Sequence, residues 1–205
     1  MADLAQHWDA VYATKAIDEV SWFQAAPATS LRLLERWASP SAPVLDVGAG
    51  ASRLADSLLD AGWKDITLLD ISIGALEVVR GRLGERGHAV ELEAADVRSW
   101  RPRRAYGAWH DRAVFHFLVQ PADRETYVAT ATEAVQPGGV IALGTFAADG
   151  PAQCSGLPTS RYEPEALAAI FGPAFALEHA EREEHMTPAG VVQPFTWVVV
   201  RRAQR

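Results

Sequence analysis

Two hydrophobic patterns alternate along the chain. Short apolar runs punctuate the chain: "PVLDVG" at 43–48, "DITLLDIS" at 65–72 and "VIALGTF" at 140–146, with the alternating "HAVELEAAD" at 88–96 between them. All four read as strands, and "PVLDVG", which stops at glycine, as a buried one. Between them the apolar positions space out. "ASRLADSLLDAG" places Leu54, Leu58 and Ala61 on one helical face, with Gly62 as a stop. "IGALEVVRGRLGERG" also reads as helix, although Gly74, Gly81 and Gly84 weaken it. "YGAWHDRAVFHFL" begins as a strand and turns helical after Asp111. "DRETYVATATEAVQPGG" is a helix closed by Pro-Gly-Gly, and "EPEALAAIFG" is a further helix. Two β-rich stretches, "AFALEHAEREE" and "PFTWVVVRR", finish the chain with only the turn-like "MTPAGVVQ" between them. Adjacent strands joined so briefly pair antiparallel.

Strands separated by helices predict an α/β fold. The expected architecture is a doubly wound, seven-stranded, mostly parallel sheet with a reversed edge strand. Residues 1–40, with Trp8, Trp22, Phe23 and Trp37, read as two helices and a loop forming a lid. Residues 41–205 would form the core of the same single domain, in keeping with a length of 205 residues.

Composition narrows the function classes. A formal net charge of −7 disfavours nucleic acid and anionic membranes as partners. No apolar run approaches the roughly 18 residues of a membrane span. "MADLAQHWDA" lacks the basic and apolar regions of a signal peptide. A single cysteine, Cys154, allows no internal disulfide, so a cytoplasmic setting is expected. No His or Cys spacing makes a metal site.

The chemistry concentrates in "DVGAGAS" at 46–52. Gly48 and Gly50 follow the first strand, where a ligand crevice opens in such sheets. Glycines there let the backbone approach a ligand. A dinucleotide loop would need a third glycine at 53, which is Arg53, and the Gly-Lys-Ser/Thr of a phosphate loop is absent. Instead Asp46 precedes the glycines, and a carboxylate there suits a cation such as an amino group or a sulfonium ion. Asp70 ends the second strand, where an acid can accept both hydroxyls of a ribose. Asp96 follows the third strand and can accept a hydrogen bond from an exocyclic amine, with Val97 against a purine face. An aspartate at one strand end is often only a turn residue. Three at successive strand ends, beside a glycine loop, describe a pocket for a nucleoside with a cationic amino-acid tail.

This order of motifs resembles the class I S-adenosylmethionine-dependent methyltransferases, whose Rossmann-like first strand closes in D/E-x-G-x-G-x-G. Here Ser52 stands in the last glycine's place, where it can still cap a helix. "LLDIS" resembles the ribose-binding segment, "AADVRSW" the adenine-binding one and "QPGGVIALGTF" the turn and fifth strand, so the likeness spans roughly residues 40–200. It implies S-adenosylmethionine as cofactor, held by Asp46, Gly48, Gly50, Ser52, Asp70, Ile71, Asp96 and Val97, with Trp8 and Trp22 of the lid.

Methyl transfer needs alignment and desolvation more than any one catalytic group. The segment after the fourth strand, "WHDRAVFHF", holds the candidates. Asp111 would orient the acceptor or the cofactor tail, unless it caps the turn or pairs with Arg112. His116 would serve as a base, unless it is packed between Phe115 and Phe117. The N/D-P-P-Y/F motif of enzymes that methylate DNA bases and protein glutamines is absent here. "HDRAVFHFL" with "DRETYV" resembles the thiopurine and tellurite-type branch, which acts on small, soft acceptors. The opening "HWDAVYATKAIDEVSWFQ" is similar both to small bacterial methyltransferases and to protein-lysine methyltransferases, the runner-up reading. Tyr12 and Phe23 of the lid, with Arg161 and Tyr162 of the loop after the fifth strand, are the expected acceptor-binding residues. Cys154 in that loop is either a soft-ligand thiol or an inert, partly buried side chain.

Overall fold

The apolar runs become strands of one sheet in the computed structural model, which describes residues 4–204; residues 1–3 of the expected lid, and Arg205, lie outside the described residues. The strands are β1 (Val44–Val47), β2 (Ile66–Asp70), β3 (Val90–Ala94), β4 (Tyr106–Arg112) and β5 (Val135–Phe146), then a small separate hairpin, β6 (Gln153–Cys154) and β7 (Leu157–Pro158), and finally β8 (Phe175–Met186) and β9 (Val192–Arg202). The main sheet has seven strands in the order β3-β2-β1-β4-β5-β9-β8. β1 to β5 run parallel, and β9 is antiparallel to both neighbours. After β1 the chain winds outward through β2 and β3, then returns to β4 on the other side. The carboxyl ends of β1 and β4 therefore flank the switch point, where such sheets leave a crevice.

Burial follows position in the sheet. β1 and β2 are buried throughout, as strands covered on both faces must be. The edge strand β8 is exposed over much of its length. α2 (Ala28–Trp37), α3 (Leu54–Asp60) and α4 (Ile73–Leu83) cover one face, burying Leu33, Leu34, Leu54, Leu58, Leu76 and Val79 against Val44, Ala108, Ala142 and Trp197. α5 (Pro121–Ala134) and α6 (Pro164–Ala169) cover the other, where Tyr127, Ala131 and Leu167 meet Leu45, Trp109, Ile141 and Leu143. Side chains alternate across a strand. Tyr106 and Ala108 nevertheless face opposite layers, because the β4–β5 register shifts between them.

Three expectations are refined. α1 (Leu4–Thr14) and the segment after it lie over the crevice, but α2 belongs to the core, with Leu33 and Leu34 fully buried. α5 stops at Ala134, before Pro-Gly-Gly, because Val135 is already extended and pairs with Tyr106. The helical turn after Asp111 is a single 3-10 turn, Phe115–Phe117.

β5 and β9 meet with the Trp197 ring lying over Gly144, whose added Cβ would stand 2.5 Å from the ring. Gly144→Ala should therefore cost about 1–3 kcal/mol through overpacking. A lowered urea midpoint with unchanged slope is the expected readout.

Candidate active site

The loop after β1 folds back over the end of β2. The Gly48 and Ala49 amides both donate to the Leu69 carbonyl, at 2.7 and 3.2 Å. Gly48 and Gly50 take φ of 64° and 51°, a region that a side chain disfavours. A Cβ on Gly48 would come within 1.8 Å of a Val114 methyl, and one on Gly50 within 2.2 Å of the Tyr12 hydroxyl. The glycines thus permit the close approach of Val114 and Tyr12 to the loop.

Asp70 fastens this loop. Its Oδ2 accepts from the Gly50 amide and its Oδ1 from the Ser72 amide, each at 2.8 Å. Each oxygen keeps a lone pair for a further donor. Burial raises its pKa to about 6, despite these two bonds, and the charges of Asp46 and Asp9 push it the same way. Ser72 in turn caps α4 by accepting from the Ala75 amide, and donates to Asp9 of α1 at 2.5 Å. One chain of bonds joins loop, helix and lid.

A cavity of about 140 Å³ runs from this point along the carboxyl ends of the strands. At one end stand Asp70, Ile71, Asp96, Val97 and Arg98. Burial pushes the Asp96 carboxyl up, but bonds from the Arg98 side chain and amide outweigh it and hold it below the usual range. At the other end stand Arg112, His116, Phe146, Cys154, Gln193 and Phe195. Trp8, Tyr12 and Trp22 line the cavity from the lid. Their rings meet edge to face, Trp8 on Trp22 at 5.8 Å and on Phe117 at 5.2 Å.

The exit of β4 divides its side chains between two layers. Asp111 turns away from the cavity and is fully buried. Its carboxylate accepts from the Tyr127 hydroxyl at 2.7 Å and the Val114 amide at 2.9 Å. It therefore holds the turn in which Ala113 adopts a φ of 75°. Burial raises its pKa to about 6. The sequence alternative of an Asp111–Arg112 pair does not form: Arg112 points the other way and donates to the Trp22 carbonyl at 3.0 Å. His116 lines the cavity, fully buried, with its ring stacked on Phe146 at 4.3 Å. Burial and the Arg112 charge lower its pKa to about 3. A group protonated only at that pH is a weak base at neutrality.

Other candidates sit elsewhere. Asp46 binds His110 Nδ1 at 2.6 Å and, with Ser52 and Phe23, lines a smaller cavity of about 60 Å³ under the glycine loop. Arg161 and Tyr162 line a separate, open depression. Phe146, Phe195, Gln193 and Arg112 were not singled out from the sequence. Arg112 carried a usable signal: it alternates with Asp111 at a strand end, so the two must face opposite layers. Among the described residues, no group of three or more His, Cys, Asp or Glu side chains is placed to hold a metal. No helix there is long and apolar enough to cross a membrane.

Residues 44–139 match the family model described as a methyltransferase domain. This stretch, a little under half of the chain, is similar to that family. It contains the glycine loop, Asp70, Asp96 and the β4 exit. Among curated proteins no match is found. Solved structures show the same fold along nearly the whole chain. One comes from work on the conversion of a disulfide bond into a thioacetal group during echinomycin biosynthesis; it is 22% identical with a TM-score of 0.77, covering 97% of this chain and 93% of that one. A methyltransferase from Anabaena variabilis is 16% identical with a TM-score of 0.74, over 97% and 93%. The 1,6-didemethyltoxoflavin N1-methyltransferase of Burkholderia thailandensis is 22% identical with a TM-score of 0.67, over 95% and 81%.

The raised Asp111 pKa sets a pH dependence of stability for this chain. Between about pH 4 and 6 the folded state holds a proton that the unfolded state has released, so stability falls as pH rises through that window. Asp111→Asn should flatten that fall. Urea titrations at several pH values, wild type beside variant, provide the check.

Proposed function

We propose that this methyltransferase passes a methyl group from S-adenosylmethionine to a small-molecule acceptor, a thiol, an amine or a similar soft nucleophile. The observation that carries the reading is the single cavity with chemically different ends, acids and a glycine loop at one and an aromatic wall at the other. The residues fit the cofactor. Each Asp70 oxygen has one lone pair left for a ribose hydroxyl. Ile71 and Val97 offer apolar contacts to a purine, and Asp96 faces the same end. Gly48 of the glycine loop lines the same cavity, where the amino-acid tail would pass. When bound, the cofactor supplies an electrophilic methyl group on a sulfonium.

The remaining work belongs to the chain. Trp8, Tyr12, Trp22 and Phe117 enclose the cavity and exclude water, which sharpens the alignment an in-line displacement requires. Asp111 fixes the β4 exit through Val114 and Tyr127 rather than touching the acceptor. His116 presents a neutral ring to the acceptor end. Solved neighbours include a glycopeptide N-methyltransferase and the toxoflavin-type enzyme, alongside the structure from thioacetal formation. They support a small acceptor over a protein lysine, as does the resemblance of "HDRAVFHFL" to the thiopurine and tellurite-type branch.

Calorimetric titration tests the reading. S-adenosylhomocysteine should bind with micromolar affinity and NADH should not. Asp70→Ala should weaken that binding by about 1.5–3 kcal/mol through loss of a charged hydrogen bond. Ribose hydroxyls donate best to ionised Asp70, so wild-type affinity should fall about tenfold from pH 7 to pH 5, and the variant's should not. Equal affinity in wild type and Asp70→Ala contradicts the ribose placement.

A further inference from the structure

Arg112 is a buried cation with half of its hydrogen-bonding edge unused. Its side chain is 9% exposed. Nη1 donates to the Trp22 carbonyl, while Nε and Nη2 are buried without a hydrogen-bond partner. Those two nitrogens form the side of the guanidinium that a carboxylate bridges with two parallel bonds. The acid near them, Glu183, stays 3.8 Å from Nε. Its two oxygens are already engaged by Gln24 Nε2 and Trp197 Nε1, each at 2.7 Å, which holds it off. Burial lowers the Arg112 pKa to about 10, so the group remains charged at neutral pH. The guanidinium also lies over the Phe195 ring, 4.5 Å from its centroid.

The surroundings sort ligands by charge. At this end of the cavity Arg112 stands with Cys154, Gln193, the neutral His116 ring and the faces of Phe146 and Phe195. The cavity's lining acids, Asp70 and Asp96, belong to the opposite end, and Asp96 is already paired with Arg98. Both His116 ring nitrogens are also without partners, so a polar group entering here meets one donor and one acceptor more. Glu183 offsets part of the Arg112 charge but leaves its fork open, so an anion gains two bonds that an ammonium, itself a donor, cannot make.

We infer that the methyl acceptor is an anionic small molecule, a carboxylate on an aromatic or apolar body, and that Arg112 receives the carboxylate side-on. The inference rests on the methyltransferase reading above and specifies its substrate class. It gives Arg112 a specificity role and sets protein lysine apart as an acceptor.

The test uses the full chain saturated with S-adenosylhomocysteine and three probes of one shape: benzoate, benzamide and benzylammonium, titrated by calorimetry. Benzoate should bind at least tenfold more tightly than benzamide, and benzylammonium should not bind. Arg112→Gln should lower benzoate affinity at least tenfold while S-adenosylhomocysteine affinity stays within threefold. Arg112→Lys keeps the charge without the fork and should fall between, which provides a second variant if the first does not fold. Equal binding of benzoate and benzamide to wild type, or preference for benzylammonium, overturns the inference and leaves the cofactor reading intact. A matching loss of S-adenosylhomocysteine affinity in Arg112→Gln would assign the fork to the cofactor's own carboxylate and also overturn it. Absence of S-adenosylhomocysteine binding in wild type would bring down both.

Discussion

The site depends on one buried carboxylate. Asp70 closes β2, pins the glycine loop through Gly50, and organises the start of α4 through Ser72, which bonds Asp9 of the lid. A carboxylate can do all this because it has more acceptor positions than the two backbone amides fill. Its burial raises its pKa to about 6 and so works against its own ionisation. A fold organised for stability alone has no reason to keep an acid at such a cost. A ligand that donates to the free lone pairs favours the charged form and offsets it.

The second organising feature is the alternation of β4. Consecutive side chains of a strand point to opposite layers. Asp111 enters the α5 layer and fixes the backbone exit; Arg112 lines the cavity, its Nε and Nη2 buried without a hydrogen-bond partner. The turn between strand and cavity wall is held in a conformation rare for a non-glycine residue, with Ala113 at a φ of 75°. Such strain persists where surrounding bonds over-determine it. The Asp111–Val114 bond and the Ala113 amide's bond to the Gly144 carbonyl at 2.9 Å supply that constraint. Two adjacent charged residues thus serve separate ends, one shaping the chain and one facing the ligand.

Much of this was legible in the sequence, for identifiable reasons. The buried strands announced themselves because central parallel strands are apolar throughout, and the glycine loop because its φ values admit few residues. Asp70, Asp96 and Val97 could be placed because strand ends in a doubly wound sheet converge on one crevice. The parts that were not legible depend on tertiary partners. Nothing local shows that Asp46 bonds His110, 64 positions away, or that Tyr127 from the next helix engages Asp111. Arg161 and Tyr162 lie in a long loop whose course no pattern fixes, and it carries them to a separate depression. The contribution of Phe195 and Gln193 comes from β9, whose reversed entry brings the far end of the chain over the cavity. α2 read as lid because its aromatic neighbours suggested a cover; its leucines bind it to the core instead.

The central claim is that Asp70 and the loop it holds form the nucleoside end of a methyl-donor site. The most direct measurement is a crystal structure of the chain with S-adenosylhomocysteine. The account predicts both ribose hydroxyls within hydrogen-bond distance of the Asp70 carboxylate, with the purine between Ile71 and Val97 and the sulfur directed toward His116 and Phe146. A ligand bound outside this cavity, or a ribose turned away from Asp70, would contradict it.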